Sequence, residues 1–376
     1  MKSNSDVLPL FYAQIRRVLR TIFVGSLPSS PLFRLKSLAL FLLPLFVLSA
    51  ACKKVPEKSS AAKFMMDTAV QIDAMGHDRQ KTGEAVNKAF ALMQSVADRT
   101  DRYGKSGLSE VARINESAGA APVAVSTDVF FIIDFVLGQQ YPEFDITLGP
   151  LTDLWNKCRD EKRLPGAGEL RKAMRLTGKE KLTARAAGET VYLEEKGMSI
   201  DLGALAKGWA VEEAGRFLAG DPDVICALVN GGGNIKVVGE KPDKAPWLVG
   251  IQDPRALNEN LGVLRLSPGE SVATSGDYQR YFEMSGNRYH HILLPETGWP
   301  GTRNISATAV TKNAFLADYY STLFFLLPAA ESMAIMENIP ELEAVIVDSG
   351  RTVYISAGLK DKFEKNEKSE WLYLQK

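Results

Sequence analysis

The sequence predicts an α+β fold with largely antiparallel sheets and helices packed on their faces. Three observations lead there. Around residues 83–97 apolar side chains recur at three- and four-residue steps, the period of one helix face. The later half breaks into short β-branched or aromatic runs, VICALV, WLVGI, VLRLS, YQRYFEM, RYHHILL, ISATAV and AVIVDS, separated by Gly, Pro, Asp and Asn. One further helical stretch, from Asn313 to about Leu327, interrupts those runs.

Taken in order, the chain opens on a targeting segment. Residues 37–51, SLALFLLPLFVLSAA, are apolar or small, follow Arg16, Arg17, Arg20, Arg34 and Lys36, and end just before Cys52. That is the layout of a signal peptide. The stretch contains Pro44 and falls short of the roughly 20 residues that cross a hydrocarbon core as a helix, so a retained anchor is the weaker reading. Ser49-Ala50-Ala51-Cys52 resembles a bacterial lipobox, in which the cysteine is lipidated after cleavage, with Ser49 where leucine is usual. The expected organisation is a signal peptide over 1–51, a lipidated tether over 52–63, whose KKVPEKSSAAK is polar and small, and one catalytic unit over 64–376. The protein is expected to be exported and to face the periplasm, held to the inner membrane through Cys52.

Within the folded unit, Val86, Ala89, Phe90, Met93 and Val96 mark the first helix. A second runs from Asp128 to about Leu137, capped by Ser126 or Thr127. A third begins near Ala204 and ends before Gly220, a natural stop. No repeat or low-complexity block divides 64–376. Lys and Arg number 45 against 45 Asp and Glu, so there is no broad electrostatic footprint for nucleic acid, and none is expected as a partner. Cys158 and Cys226 have no metal-site or disulfide spacing and read as small buried hydrophobes.

Several segments could carry chemistry. Asp318 and Thr322 are four residues apart in ADYYSTLFFLL, so on a helix a carboxylate and a hydroxyl share one face. Two hard oxygens suit Mg²⁺, which shares its shell with water and phosphate, although an isolated pair of this kind is more often an ordinary helix turn. SIDLGALAKGWAVEEAG passes through Gly203 into a helix, where free amides and Lys207 meet an anion or are simply solvated. The glycines of VNGGGN permit close backbone approach to a ligand, or make a plain turn. His290 and His291 lie in a strand-like run and point to opposite faces, so only one readily faces a site. Thr274, Ser275 and Asp277 are read at a turn around Gly276, which orients a ligand or simply reverses the chain. Tyr103 or Phe144 offers a ring for stacking, with Phe144 and Trp155 otherwise core residues.

In their order, SEVARIN (109–115), FDITLGPLTDLW (144–155), IDLGALAKG (200–208), VNGGGN (229–234), TSGDYQRYF (274–282), HHILLPETG (290–298) and Ala317-Asp318 with Ser321-Thr322 resemble the ApbE family of flavin transferases across about Phe64 to Leu327. The resemblance implies an ApbE-like fold in which FAD is held with its pyrophosphate beside Mg²⁺. FMN then passes to a threonine of an acceptor flavoprotein as a phosphoester, with AMP leaving. It further implies Asp318, Thr322 and the Ala204 carbonyl as metal ligands, and Met66, Tyr103, Glu143, Phe144, Asp145, Asp201 and Lys207 around FAD. His291, directly before Ile292, would lie by the reacting phosphates, with His291 or Asp318 taking the hydroxyl proton. Two alternatives stay open: hydrolysis of FAD to FMN and AMP, and a non-catalytic FAD-binding lipoprotein. The chain departs from the family pattern at Asp67, where glycine is usual, at Trp209 and Glu212 for Tyr and Asp, and at Tyr319-Tyr320 for Ala-Leu.

Overall fold

The computed structural model describes residues 55–375, apart from 105, 106, 108 and 257. The expected leader and Cys52 lie outside the described residues. No helix of the described residues is long and apolar enough to cross a membrane.

The first element was not expected. Residues 57–63, read as tether, belong to β1 (Glu57–Met65), which pairs antiparallel along its whole length with β2 (Thr68–Gly76). EKSSAAKFM has no apolar alternation because β1 is an edge strand, held by backbone bonds and exposed along most of its length. The folded unit therefore reaches back past Phe64.

Helix α1 (Arg79–Thr100) starts four residues before the periodic stretch, where the Asp78 side chain accepts from the Gln80 and Lys81 amides. α2 (Glu110–Glu116), β3 (Val123–Ala124) and α3 (Thr127–Leu137) follow. Two helices that the sequence reading left unassigned come next, α4 (Gly149–Asp160) and α5 (Ala167–Arg175). In α4, Leu151, Trp155 and Cys158 are buried at helical spacing behind Pro150 in the first turn. β4 (Leu182–Arg185) and β5 (Thr190–Leu193) close a small sheet with β3. α6 (Ala206–Gly220) is nearly as expected.

The second half supplies β6 (Cys226–Gly231), β7 (Asn234–Val238), β8 (Trp247–Gln252), β9 (Asn260–Leu266), β10 (Ser271–Gly276), β11 (Tyr281–Met284), β12 (Asn287–His290) and β13 (Asn304–Thr311). α7 (Ala314–Leu326), α8 (Ala329–Met336), β14 (Glu343–Asp348), β15 (Thr352–Ile355), β16 (Phe363–Lys365) and β17 (Leu372–Gln375) complete it. Nine strands form one sheet in the order β1-β2-β6-β7-β10-β13-β14-β15-β17, and only β15 and β17 pair in parallel. The fold is α+β, as the sequence predicts.

The pleat of this sheet separates two interiors. One face turns Val70, Ile72, Ala227, Val229, Ala307, Ala309 and Ile346 toward α1, α6, α7 and α8. The other turns Ile235, Val237, Val272, Val310, Val345 and Val347 toward β8 and β9 of a second sheet, which contribute Trp247, Val249, Ile251, Leu261, Leu264 and Leu266. α7 is apolar nearly all round and buried nearly all round. Its few polar positions are consequently informative.

Candidate active site

On the helical side opens a cavity of about 1220 Å³. It is larger than a typical small-molecule site, which spans roughly 300–1,000 Å³. Met66, Tyr103, Glu143, Phe144, Asp145, Asp201, Ala204, Lys207, His291, Ile292, Asp318 and Thr322, the residues implied by the sequence, all line it.

At its floor α6 and α7 touch. Gly208 makes this contact possible, since a Cβ there would lie 2.5 Å from Asp318 Cβ and 2.6 Å from the Ala314 carbonyl. The Gly208 amide donates to Asp318 Oδ2 at 2.7 Å. In a continuous helix that amide would serve the Ala204 carbonyl, and no described backbone bond joins the two. Asp318 is 4% exposed. Burial raises its pKa, against the opposing pull of Lys207, the Gly208 amide and Asn234. One turn on, Thr322 Oγ1 lies 3.1 Å from Ser275 Oγ, which also meets Ser321 Oγ at 3.0 Å. Lys207 donates to the Gly203 carbonyl at 2.9 Å and stands at the start of α6, where amides and helix dipole favour an anion. A buried carboxylate, a hydroxyl, a carbonyl and an ammonium thus converge on one floor.

The two histidines divide as their neighbours dictate. β12 ends at His290, which is buried; its Nε2–H donates to the Gly301 carbonyl at 2.7 Å and its Nδ1 accepts from the Ile292 amide. Burial lowers its pKa, and its role is structural. The strand reading of His291 is corrected, for the chain bends after His290 and His291 lies just beyond β12, exposed to the cleft. Its Nδ1 lies 3.2 Å from the Arg280 carbonyl, which only accepts, so Nδ1 carries the hydrogen and Nε2 keeps a free pair. Confinement among protein atoms, with the Arg280 and Lys207 charges, lowers its pKa to about 4. Water still reaches the ring, so the direction is what counts: the imidazole is neutral at pH 7.

The walls are mixed. Tyr103 presents a ring that is 57% exposed. The Phe144 ring is instead packed against Tyr319, centroids 4.6 Å apart, inside the core. Asp145 Oδ1 accepts from the Thr147 amide and hydroxyl, both at 2.7 Å, which stabilises a local turn. Gly232 and Gly233, at φ 66° and 97°, are the two-residue turn between β6 and β7, so the glycines of VNGGGN serve a hairpin. Thr274, Ser275 and Gly276 lie within β10 rather than at a turn, and Asp277 just after it pairs with Arg255.

Sequence reasoning passed over Arg102 and Gly208 as site residues, and read Ser275 only as part of a turn that orients a ligand or merely reverses the chain. Gly208 and Ser275 sat inside quoted motifs, yet only helix–helix and strand–helix contact gives them a role. Arg102 is held by residues far along the chain.

A sequence profile described as the ApbE family matches residues 66–346. The chain belongs to the ApbE family. Among ApbE relatives, the FAD:protein FMN transferase of Vibrio cholerae is 31% identical over 333 residues, 85% of this chain and 97% of its own length. That of Klebsiella pneumoniae is 33% identical over 260 residues, 68% and 80% of the two chains. The solved ApbE protein of Thermotoga maritima aligns with a TM-score of 0.73 at 28% identity, covering 82% of this chain and 100% of its own.

The departures from the ApbE pattern can now be placed. Met66 and Asp67, at φ 51° and 57°, form the β1–β2 turn, and aspartate tolerates the left-handed region that glycine would fill freely. Asp67 Oδ2 lies 3.8 Å from Arg280, beside the backbone that holds His291. Glu212 accepts from the Ala314 amide at 2.7 Å and pairs with buried Lys236 at 3.0 Å, tying α6 to the start of α7.

Proposed function

We propose that this chain is a magnesium-dependent enzyme that moves the FMN half of FAD onto a threonine hydroxyl of an acceptor flavoprotein and releases AMP. The coarser statement rests on family membership: it is a flavin transferase, with FAD as substrate and a flavoprotein as acceptor. The single observation that carries the finer reading is the convergence of Asp318, Thr322, Ala204 and Lys207 on one cavity floor.

The residues fit the metal. Asp318 is a carboxylate kept from water, with its pKa raised, the condition of an anion lacking a cation. Thr322 adds a hydroxyl and Ala204 a carbonyl outside the helical ladder, hard oxygens with one negative charge among them. No group of three His, Cys, Asp or Glu side chains that could hold a metal occurs among the described residues. Asp318, Thr322 and the Ala204 carbonyl would hold Mg²⁺, which when bound neutralises charge on pyrophosphate oxygens.

Lys207 and the first amides of α6 face the same phosphates from the protein side. Neutral His291 takes the threonine proton on Nε2 as the hydroxyl oxygen bonds to the FMN phosphorus. The bond from that phosphorus to the bridging oxygen breaks, and its electron pair leaves with AMP. Asp318 is the poorer base, because Oδ2 already accepts from Gly208 and the metal would draw on the remaining charge. Tyr103 offers its face to a flat ring.

The proposal extends to location, with Cys52 lipidated and the enzyme facing the periplasm. The test of function follows acceptor mass and AMP together after the chain is mixed with FAD, Mg²⁺ and a candidate acceptor. An acceptor gaining the mass of FMN supports transfer. AMP without a modified acceptor means hydrolysis, and intact bound FAD means a carrier.

A further inference from the structure

In the cleft wall sits a charge that the chemistry above leaves without a role, that of Arg102, which lines the cavity beside Tyr103 and Asp201. Arg102 follows α1, and its side chain is 7% exposed. Nη1 and Nη2 each meet Asp153 of α4 at 3.0 Å, a planar fork on a carboxylate. Nη1 lies 3.6 Å from Asp201 Oδ2, and Nη2 reaches Ser199 Oγ at 3.3 Å. The guanidinium also lies 5.0 Å from the centroid of the Tyr103 ring, with Nη1 3.4 Å from the phenol oxygen. Gly149 makes the space, since a Cβ there would come within 2.8 Å of Nη2. Three segments therefore meet on one cation: the end of α1, the first turns of α4 and the loop before α6.

Burial works against the Arg102 charge, and Asp201 and Asp153 more than offset it, raising its pKa. Nε is nevertheless buried without a hydrogen-bond partner. A buried ion pair is weak evidence for stability, because an apolar side chain of similar volume often does as well. An apolar side chain would not, however, aim two cleft-lining groups at once. Asp201 and Tyr103 both line the cavity, and both touch Arg102.

We propose that Arg102 is a positioning residue of the flavin-nucleotide site, holding the Tyr103 ring and the Asp201 carboxylate in one geometry so that FAD meets a preformed wall. The inference rests on the reading of this cleft as the FAD site. Preforming the wall removes the ordering cost that two mobile side chains would otherwise add to binding. Its effect therefore falls on affinity, ahead of the chemical step.

The test uses the full chain and reads FAD affinity from quenching of flavin fluorescence, alongside KM and kcat for FAD. Arg102→Met is expected to weaken FAD binding about tenfold and raise KM in parallel, with kcat within about twofold. Arg102→Lys keeps the charge without the fork and should recover part of the loss. Asp153→Asn breaks the fork from the exposed side and should weaken binding about threefold, a check that leaves the arginine in place. With Tyr103→Ala and Asp201→Asn already present, Arg102→Met should add little, because nothing remains to be aimed. Unchanged affinity in Arg102→Met, a loss confined to Tm and kcat, or a full tenfold loss in that altered background would each overturn the inference. A wild-type chain that does not bind FAD would remove the reading beneath it instead.

Discussion

The two faces of the nine-stranded sheet are built from the same strands and do different work. Toward β8 and β9 the strands point Ile235, Val237, Val345 and Val347 into a dry layer of branched and aromatic side chains. Toward α1, α6 and α7 the same strands carry Ala227, Ala307 and Ala309, with buried Lys236 and Ser275 among them. Small residues let the helices approach closely enough for backbone contact, and that approach brings Asp318, Thr322 and Lys207 to one floor. One face gives up apolar volume and gains a site. The other supplies stability without chemistry.

If this division holds, substitutions on the two faces should separate activity from stability. The largest effect belongs to Asp318→Ala, expected to lower kcat by about 10³ or more with an unchanged circular dichroism spectrum. Retained Mg²⁺-dependent turnover would remove Asp318 from the floor. His291→Asn should cost about 10²–10³ in kcat. Its pH behaviour sharpens the point: burial holds the folded imidazole below the ordinary 6.5, down to about 4. Between those values the unfolded chain holds more protons, so stability falls as pH drops through that window, and His291→Asn should flatten the fall. Wild-type activity should likewise persist below pH 6.5, and a rate that halves near 6.5 would show an ordinary histidine.

Gly208→Ala should follow, with kcat down about 10-fold to 100-fold, because α6 and α7 must part where a Cβ would meet Asp318 Cβ at 2.5 Å. The smallest effect on activity belongs to the opposite face. Leu264→Ala removes a fully buried side chain there and should cost about 2–5 kcal/mol in denaturant unfolding, leaving kcat within about twofold. A large fall in kcat from Leu264→Ala would mean that the two faces are coupled.

How much of this was legible in the sequence depended on how far apart the partners lie. Asp318 and Thr322 were legible through the family resemblance, since a four-residue helical step gives a shared face but on its own marks an ordinary turn more often than a site. α1 showed in its period, and seven of the seventeen described strands in their β-branched or aromatic runs. β1 was invisible, since an edge strand is held through its backbone and EKSSAAK has no pattern to betray it. His291 was half legible: the pair could be told apart, but not the bend that takes the second histidine out of its strand. Arg102 was not legible at all, because Asp153 and Asp201 reach it only after the chain has folded back.

The Gly208 contact has a last consequence, for how this site tolerates change. Where two helices meet main chain to side-chain base, a carboxylate is located by backbone geometry and owes little to the bulk around it. The aromatic side chains of Tyr319 and Tyr320 can then be repacked while the Gly208 amide keeps Asp318 in place. The position of that carboxylate rests on a single missing methyl group.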